Sequence, residues 1–161
     1  MSQEKYAGFW LRFVALLIDG IILYVISSFI FIPLLAAVGL SFGAMTDGFD
    51  INELSEGDIV TLATTFITAV AIGNVIGLVV RVLYYTFMES SKYQATVGKL
   101  ALGLKVTDAQ GQKLDFVKAF IRQLGKIVSG FILLIGYIMA AFTEKKQALH
   151  DMIAGTLVVK K

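Results

Sequence analysis

The chain has 161 residues, 57% of them hydrophobic, with a mean hydropathy of +0.80 and a formal net charge of +2. This apolar content exceeds the roughly 45–50% of an average soluble domain, so the excess must face lipid, and the length allows at most about three spanning helices. The chain has no cysteine and too little net charge for a nucleic-acid partner, which excludes disulfides, thiolate chemistry and nucleic-acid binding.

Two membrane spans are predicted, at about 13–38 and 59–88. The first lies in an apolar run too long for a signal peptide, and Pro33 either kinks it or marks its outer end. Between the spans, residues 40–58 contain five acids and no lysine or arginine. The positive-inside rule therefore places this loop outside the cell.

The stretch at 89–126 is basic, with seven lysines and arginines, which places it and the N-terminus in the cytoplasm. Residues 100–116 have the pattern of a β-hairpin that turns at Gly111, to which the C-terminal tail could add a third strand. From Phe116 the spacing predicts an interfacial helix. We expect the basic residues to rest against anionic lipid headgroups.

The hydrophobic helix predicted at 127–143 is short for a span, which needs about 17–25 residues. A full crossing would also place the lysines of the tail, 144–161, outside the cell. A short or re-entrant helix with both ends in the cytoplasm is favoured over a third span. The sequence therefore predicts one all-α domain over residues 1–161 in the cell membrane, with a small cytoplasmic β-hairpin.

A polar line is predicted inside the membrane. Asp19 lies about 10 Å deeper than Arg12 on one helix face, and Arg81 reaches a similar depth on the second span, with Asn74 further out on the same face. A central Asp costs about 2.5–3.5 kcal/mol to insert, which marks Asp19 as a functional candidate. We expect a direct contact between Asp19 and Arg81. The line is either an ion or proton path or a structural seam.

Small residues recur at four-residue intervals on the second span, which favours close helix packing. They are Thr61, Thr65, Ala69, Gly73 and Gly77. Their partner is either the first span or a second copy of the chain.

His150 and Asp151 follow the second basic cluster of the sequence. They lack a serine or cysteine nucleophile, a metal-binding spacing or a second carboxylate, so neither an enzyme nor a metal or cofactor site is predicted. We expect Asp151 to cap a helix or to pair with a basic residue such as Arg12.

Three segments together resemble the RDD family of membrane proteins, which is named for an arginine and two aspartates. They read AGFWLRFVALLIDG, ATVGKLALGLKVTDAQGQ and KKQALHDMIAGTLVV. The resemblance assigns the arginine to Arg12 and the aspartates to Asp19 and Asp151, the latter beside His150. The family's middle motif usually reads T-P-G-K, whereas Val97 stands here in place of the proline.

The resemblance implies transport of an unidentified ligand, with cation/proton exchange suggested for some members. In that interpretation Asp19 titrates, and Arg12, Arg81 and Asn74 tune it. The alternative is a membrane accessory or assembly protein in which the polar line is structural. A membrane enzyme is the least favoured class.

Overall fold

The computed structural model describes residues 6–45, 54–131 and 135–161. Two long helices come first, α1 (Phe9–Met45) and α2 (Glu56–Ser90). Shorter elements follow in the order α3 (Val97–Ala101), β1 (Leu104–Asp108), α4 (Phe116–Phe131), α5 (Ile135–Ile138), a 3-10 turn (Met139–Ala141), α6 (Leu149–Ile153) and β2 (Thr156–Lys160).

Two helices in the described part of the chain, α1 and α2, are long and apolar enough to cross a membrane. Both extend beyond the predicted bounds, and Pro33 lies within α1 rather than at its end. Large apolar side chains such as Tyr24 and Phe29 are mostly exposed on α1, as expected for a surface in contact with lipid. Of the predicted outer loop, residues 46–53 lie outside the described residues.

The chain divides into two compact units, one of which is Leu23–Val80. Within it, the small residues of α2 meet α1 at one point. A Cβ on Gly73 would lie 2.2 Å from the ring of Phe31, so any larger residue would force this ring to move. Ala69, one turn earlier, is also buried. The first span is therefore a partner of this surface.

The other unit comprises the segment ending at Ile22 together with Arg81–Lys161. Its two-stranded sheet pairs β1 with β2 in antiparallel register, with Val106 opposite Val158. The small sheet was predicted, but its second strand comes from the C-terminal tail, because the segment after Gly111 leads directly into α4. Tyr6 forms a further β-bridge to Val159.

A small apolar core lies beside this sheet. It is formed by Ala7, Leu104, Val106, Leu114 and Val158. The N–H of Ala7 donates to the Val158 carbonyl at 2.9 Å, so the residues just before α1 are held by the last strand of the chain.

The predicted interfacial helix and the start of the predicted hydrophobic helix at 127–143 form one element, α4. Residues 132–134 lie outside the described residues, and α5 and the 3-10 turn cover part of the remainder. No described helix in this stretch is long enough to span the membrane. The structure thus agrees with a short third hydrophobic element.

Candidate functional site

Asp151, at the third position of α6, is fully buried and holds two guanidinium groups. Its Oδ1 accepts from Nε and Nη2 of Arg122 at 2.8 and 2.7 Å. Its Oδ2 accepts from Nη1 of Arg12 and, at 3.1 Å, from the N–H of Ala148. Because Ala148 immediately precedes α6, this second bond caps the helix. Both expected roles of Asp151, the cap and the pairing with Arg12, are confirmed.

Glu89, near the end of α2, is the second fully buried carboxylate of this unit. Its Oε1 accepts from Lys99 at 2.5 Å and more weakly from Lys126 at 3.5 Å. Its Oε2 accepts from Arg122 at 2.5 Å and from Gln123 at 2.9 Å. Arg122 therefore bridges Glu89 to Asp151.

These six residues form what we call the buried charge cluster. Its members are Arg12, Glu89, Lys99, Arg122, Lys126 and Asp151. Arg12 also donates to the carbonyls of Ala7 and Lys146, at 2.8 and 2.6 Å. The cluster joins α1, α2, α3, α4 and α6 with the turn before α6. It contains four basic side chains and two carboxylates, a formal surplus of two positive charges.

Burial alone would raise the pKa of Asp151, but Arg122 and Arg12 outweigh it and hold that pKa well below its ordinary range. Burial holds the pKa of Lys126 well below its ordinary value, because Glu89 at 3.5 Å compensates only in part. Burial likewise holds the pKa of His150 well below its ordinary value, so this imidazole is neutral near pH 7. Within the described residues, His150 Nδ1 and the Tyr85 hydroxyl are buried without a hydrogen-bond partner.

Asp19 lies apart from the cluster and holds the start of α3. Its Oδ1 accepts from the Tyr84 hydroxyl at 2.9 Å and from the Gly98 N–H at 2.8 Å, and its Oδ2 accepts from Thr96 at 2.5 Å. A Cβ on Gly98 would lie 2.2 Å from the Ala15 carbonyl oxygen, so the glycine allows α3 to approach α1. Asp19 therefore caps a helix that belongs to another part of the chain.

Val97, which replaces the usual proline, is the first residue of α3. Its N–H donates to the Tyr84 hydroxyl at 3.2 Å, a bond that proline could not make. The turn thus forms without the proline, which is favoured at this helical position but not required by it.

Arg12, Asp19 and Arg81 of the predicted polar line form no hydrogen bond or ion pair with one another in the part of the chain that the structure describes. Arg81 is exposed, and the expected contact with Asp19 is wrong: the partners of Asp19 are hydroxyls and a backbone N–H. Asn74 is also exposed, and its amide donates to Val70 of its own helix at 2.8 Å.

The predicted packing surface of small residues on α2 is buried at some positions and exposed at others. Ala69 and Gly73 are buried, whereas Thr65 is exposed and its hydroxyl donates to Thr61 of the same helix. A Cβ on Gly77 would meet nothing within 4 Å.

Glu89 is the functional residue that the sequence analysis missed. It is the only acid between Asp58 and Asp108, and it lies between an apolar span and a strongly basic segment. A lone acid in that position is a candidate counter-ion for the bases that follow it. Arg122 and Lys126 were assigned to a surface that faces lipid headgroups, but the structure turns both towards Glu89.

Similarity to known proteins shows the family of this chain. A protein of Bacillus subtilis (strain 168), Uncharacterized protein YxaI, is 41% identical over 159 residues, covering 99% of this chain and 100% of its own. Uncharacterized membrane protein YteJ of the same organism is 29% identical over 161 residues, covering 99% of this chain and 84% of its own. No solved structure matches the chain significantly. The model of the RDD family matches residues 6–155, which include Arg12, Asp19 and Asp151, and the chain therefore belongs to the RDD family of membrane proteins.

Proposed function

We propose that the chain is a multi-pass protein of the cell membrane with an accessory or assembly role, and that its buried polar groups hold the fold rather than conduct ions. The hydrogen bonding of three buried carboxylates supports this most directly. Glu89 and Asp151 are fully buried, Asp19 is 1% exposed, and each of their oxygens accepts at least one hydrogen bond. A transported cation would need such an oxygen as a ligand and would first have to displace a donor.

Reconstitution tests this role directly. The purified protein is placed in liposomes that hold a pH gradient, and Na⁺ or K⁺ is added outside. We expect the gradient to decay no faster than in protein-free liposomes. Cation-dependent decay that is lost in Asp19→Asn, with unchanged thermal melting in detergent, would overturn the accessory role and restore Asp19 as the titrating group.

Cation/proton exchange is the second candidate, and the surplus of positive charge favours it. Two buried carboxylates face four cations, and the amine of Lys126 is the most weakly held, 3.5 Å from Glu89 and 4.1 Å from the centre of the Tyr85 ring. A buried amine with a lowered pKa releases its proton readily. This candidate places the exchangeable proton on Lys126. A proton on Asp19, with Arg12, Arg81 and Asn74 as its tuning groups, would have to compete with the three hydrogen bonds that this carboxylate accepts.

One comparison of glutamine variants distinguishes the accessory role from cation/proton exchange. Lys126→Gln removes the titrating amine, whereas Lys118→Gln makes the same change at an exposed position of α4. If the parent protein exchanges cations for protons, Lys126→Gln should abolish the flux and Lys118→Gln should preserve it. Flux that persists in Lys126→Gln would remove this residue from the mechanism.

The proposed orientation has the N-terminus, the basic segment and the tail in the cytoplasm, because lysines and arginines concentrate after α2 and none lies in 40–58. Single cysteines at Glu56, Lys105 and Lys160 test it in intact cells with an impermeant thiol reagent. We expect labelling at Glu56 alone. Labelling at Lys105 would show that the topology is inverted. Labelling at Lys160 but not at Lys105 would require a third span.

Two further contacts are proposed, one with lipid and one with a second copy of the chain. The lipid contact involves fewer residues of the basic segment than the sequence indicated. Anionic headgroups would contact the exposed lysines Lys92, Lys113 and Lys118. A second copy of the chain would contact the exposed threonine side of α2, around Thr65. Native mass spectrometry from mixed-lipid micelles measures both, as retained anionic lipid and as a dimer mass.

A further inference from the structure

Helix α4 is amphipathic, but its faces are reversed relative to a helix of a soluble protein. Its polar residues Arg122, Gln123 and Ser129 are buried. Its large apolar side chains are between 37% and 61% exposed, namely Phe116, Val117, Phe120, Ile121, Leu124 and Val128.

The charge cluster fixes this orientation. Arg122 donates to both buried carboxylates, and Gln123 donates to Glu89 at 2.9 Å. A rotation that buried the apolar face would take these donors away from their partners and leave two buried carboxylates without them, which is strongly destabilising. The apolar face of α4 therefore cannot turn inwards.

The exposed face of α4 continues onto a membrane-spanning helix. The Phe116 ring lies 5.4 Å from the ring of Phe87 on α2, and it stacks on Phe120 at 6.5 Å, centre to centre. Phe87 and Leu83, one turn apart on α2, are themselves 59% and 42% exposed. Six large apolar side chains on one helix face form a patch that a water-exposed surface rarely carries. The apolar surface is thus continuous from a lipid-facing segment to α4.

We propose that α4 is embedded at the edge of the bilayer, with its apolar face in contact with lipid acyl chains and its polar face over the buried charge cluster. In this position α4 separates the cluster from the hydrocarbon and lies within the membrane without crossing it. The exposed Lys118, on a long aliphatic stem, reaches the headgroup level. This placement goes beyond the proposed function, because it holds for an accessory protein and for an exchanger alike.

Depth-dependent fluorescence quenching tests the placement. The chain has no cysteine, so single variants Val117→Cys, Ile121→Cys and Leu124→Cys carry one environment-sensitive fluorophore each. Leu83→Cys on α2 serves as the lipid-facing reference, and Gln110→Cys in the exposed turn before α4 serves as the aqueous reference. Labelled proteins are reconstituted in phosphatidylcholine vesicles with spin-labelled acyl chains, and iodide is the aqueous quencher.

We expect the three α4 positions to lose fluorescence to the spin-labelled lipid as Leu83 does, and to resist iodide, with blue-shifted emission relative to Gln110. These side chains are exposed, so their replacement leaves the cluster intact, and an unchanged thermal midpoint verifies this. Iodide quenching equal to that at Gln110 would show that the face meets water and would overturn the proposal. Protection from both quenchers would show that protein covers the face, including a second copy of the chain, and would equally overturn it.

Discussion

Asp151→Asn is the most informative single change, because it removes one charge from between two buried guanidinium groups. Asparagine keeps the size and one oxygen for Arg122, but its amide NH₂ replaces the oxygen that faces Arg12 and the Ala148 N–H. Removing one partner of a buried ion pair costs about 3–5 kcal/mol. We therefore expect the free energy of unfolding in detergent to fall by that amount, and the thermal midpoint to fall on the order of 10 °C.

Asp115→Asn is the matched control. Asp115 is exposed and caps α4 by accepting from the Lys118 N–H at 2.6 Å. Because asparagine caps helices about as well as aspartate, this variant should change stability by less than about 0.5 kcal/mol. A double-mutant cycle with Arg12→Gln adds a second criterion. If Asp151→Asn melts like the control, or the two cluster changes add within about 0.5 kcal/mol, the pair does not hold the fold.

Three other changes test separate parts of the structure in the same unfolding assay. Gly98→Ala would place a Cβ 2.2 Å from a backbone oxygen of α1 and should lower the free energy of unfolding by about 1–3 kcal/mol. Gly130→Ala is the control, because its Cβ would meet nothing within 4 Å and should not destabilise the protein. Equal effects of the two changes would contradict the packing argument. The folded pKa values of His150 and Asp151 lie below their unfolded values, so stability should fall as the pH drops below about 6.5 and again below about 3.9; His150→Gln should remove the first decrease, and its persistence would assign it to another group. Arg81→Gln should leave stability unchanged, since this exposed residue forms no ion pair with a described carboxylate; a loss like that of Asp151→Asn would revive the discarded contact.

The sequence could predict the elements that depend on local composition. Both long helices follow from apolar length alone, and the pairing of Arg12 with Asp151 follows from the need of a buried charge for a partner. The orientation of α4 could not be predicted in the same way. The basic face of such a helix can contact lipid headgroups or a buried carboxylate equally well. Only the position of Glu89 decides between these two partners.

Long-range pairing limits the sequence interpretation in two other places. A hairpin is the local solution for the segment after Leu100. The tail was predicted to add a third strand to it, but nothing in the spacing indicates that the tail replaces the second. The sequence marked Asp19 as a candidate, but its partners could not be predicted, because a backbone N–H such as that of Gly98 leaves no signature in side-chain chemistry.

The contacts of the N-terminal segment with α6 and β2 have a consequence for biosynthesis. Arg12 is 139 positions from Asp151, and the residues before α1 are held by β2, which follows every other described element in the sequence. Until the ribosome has added α6, the guanidinium of Arg12 lacks this carboxylate partner. Pulse-chase proteolysis should therefore detect protection of the N-terminal segment only after β2 has been synthesised. A prematurely terminated copy retains that unpaired charge, which gives a membrane protease a chemical means of telling it from a finished one.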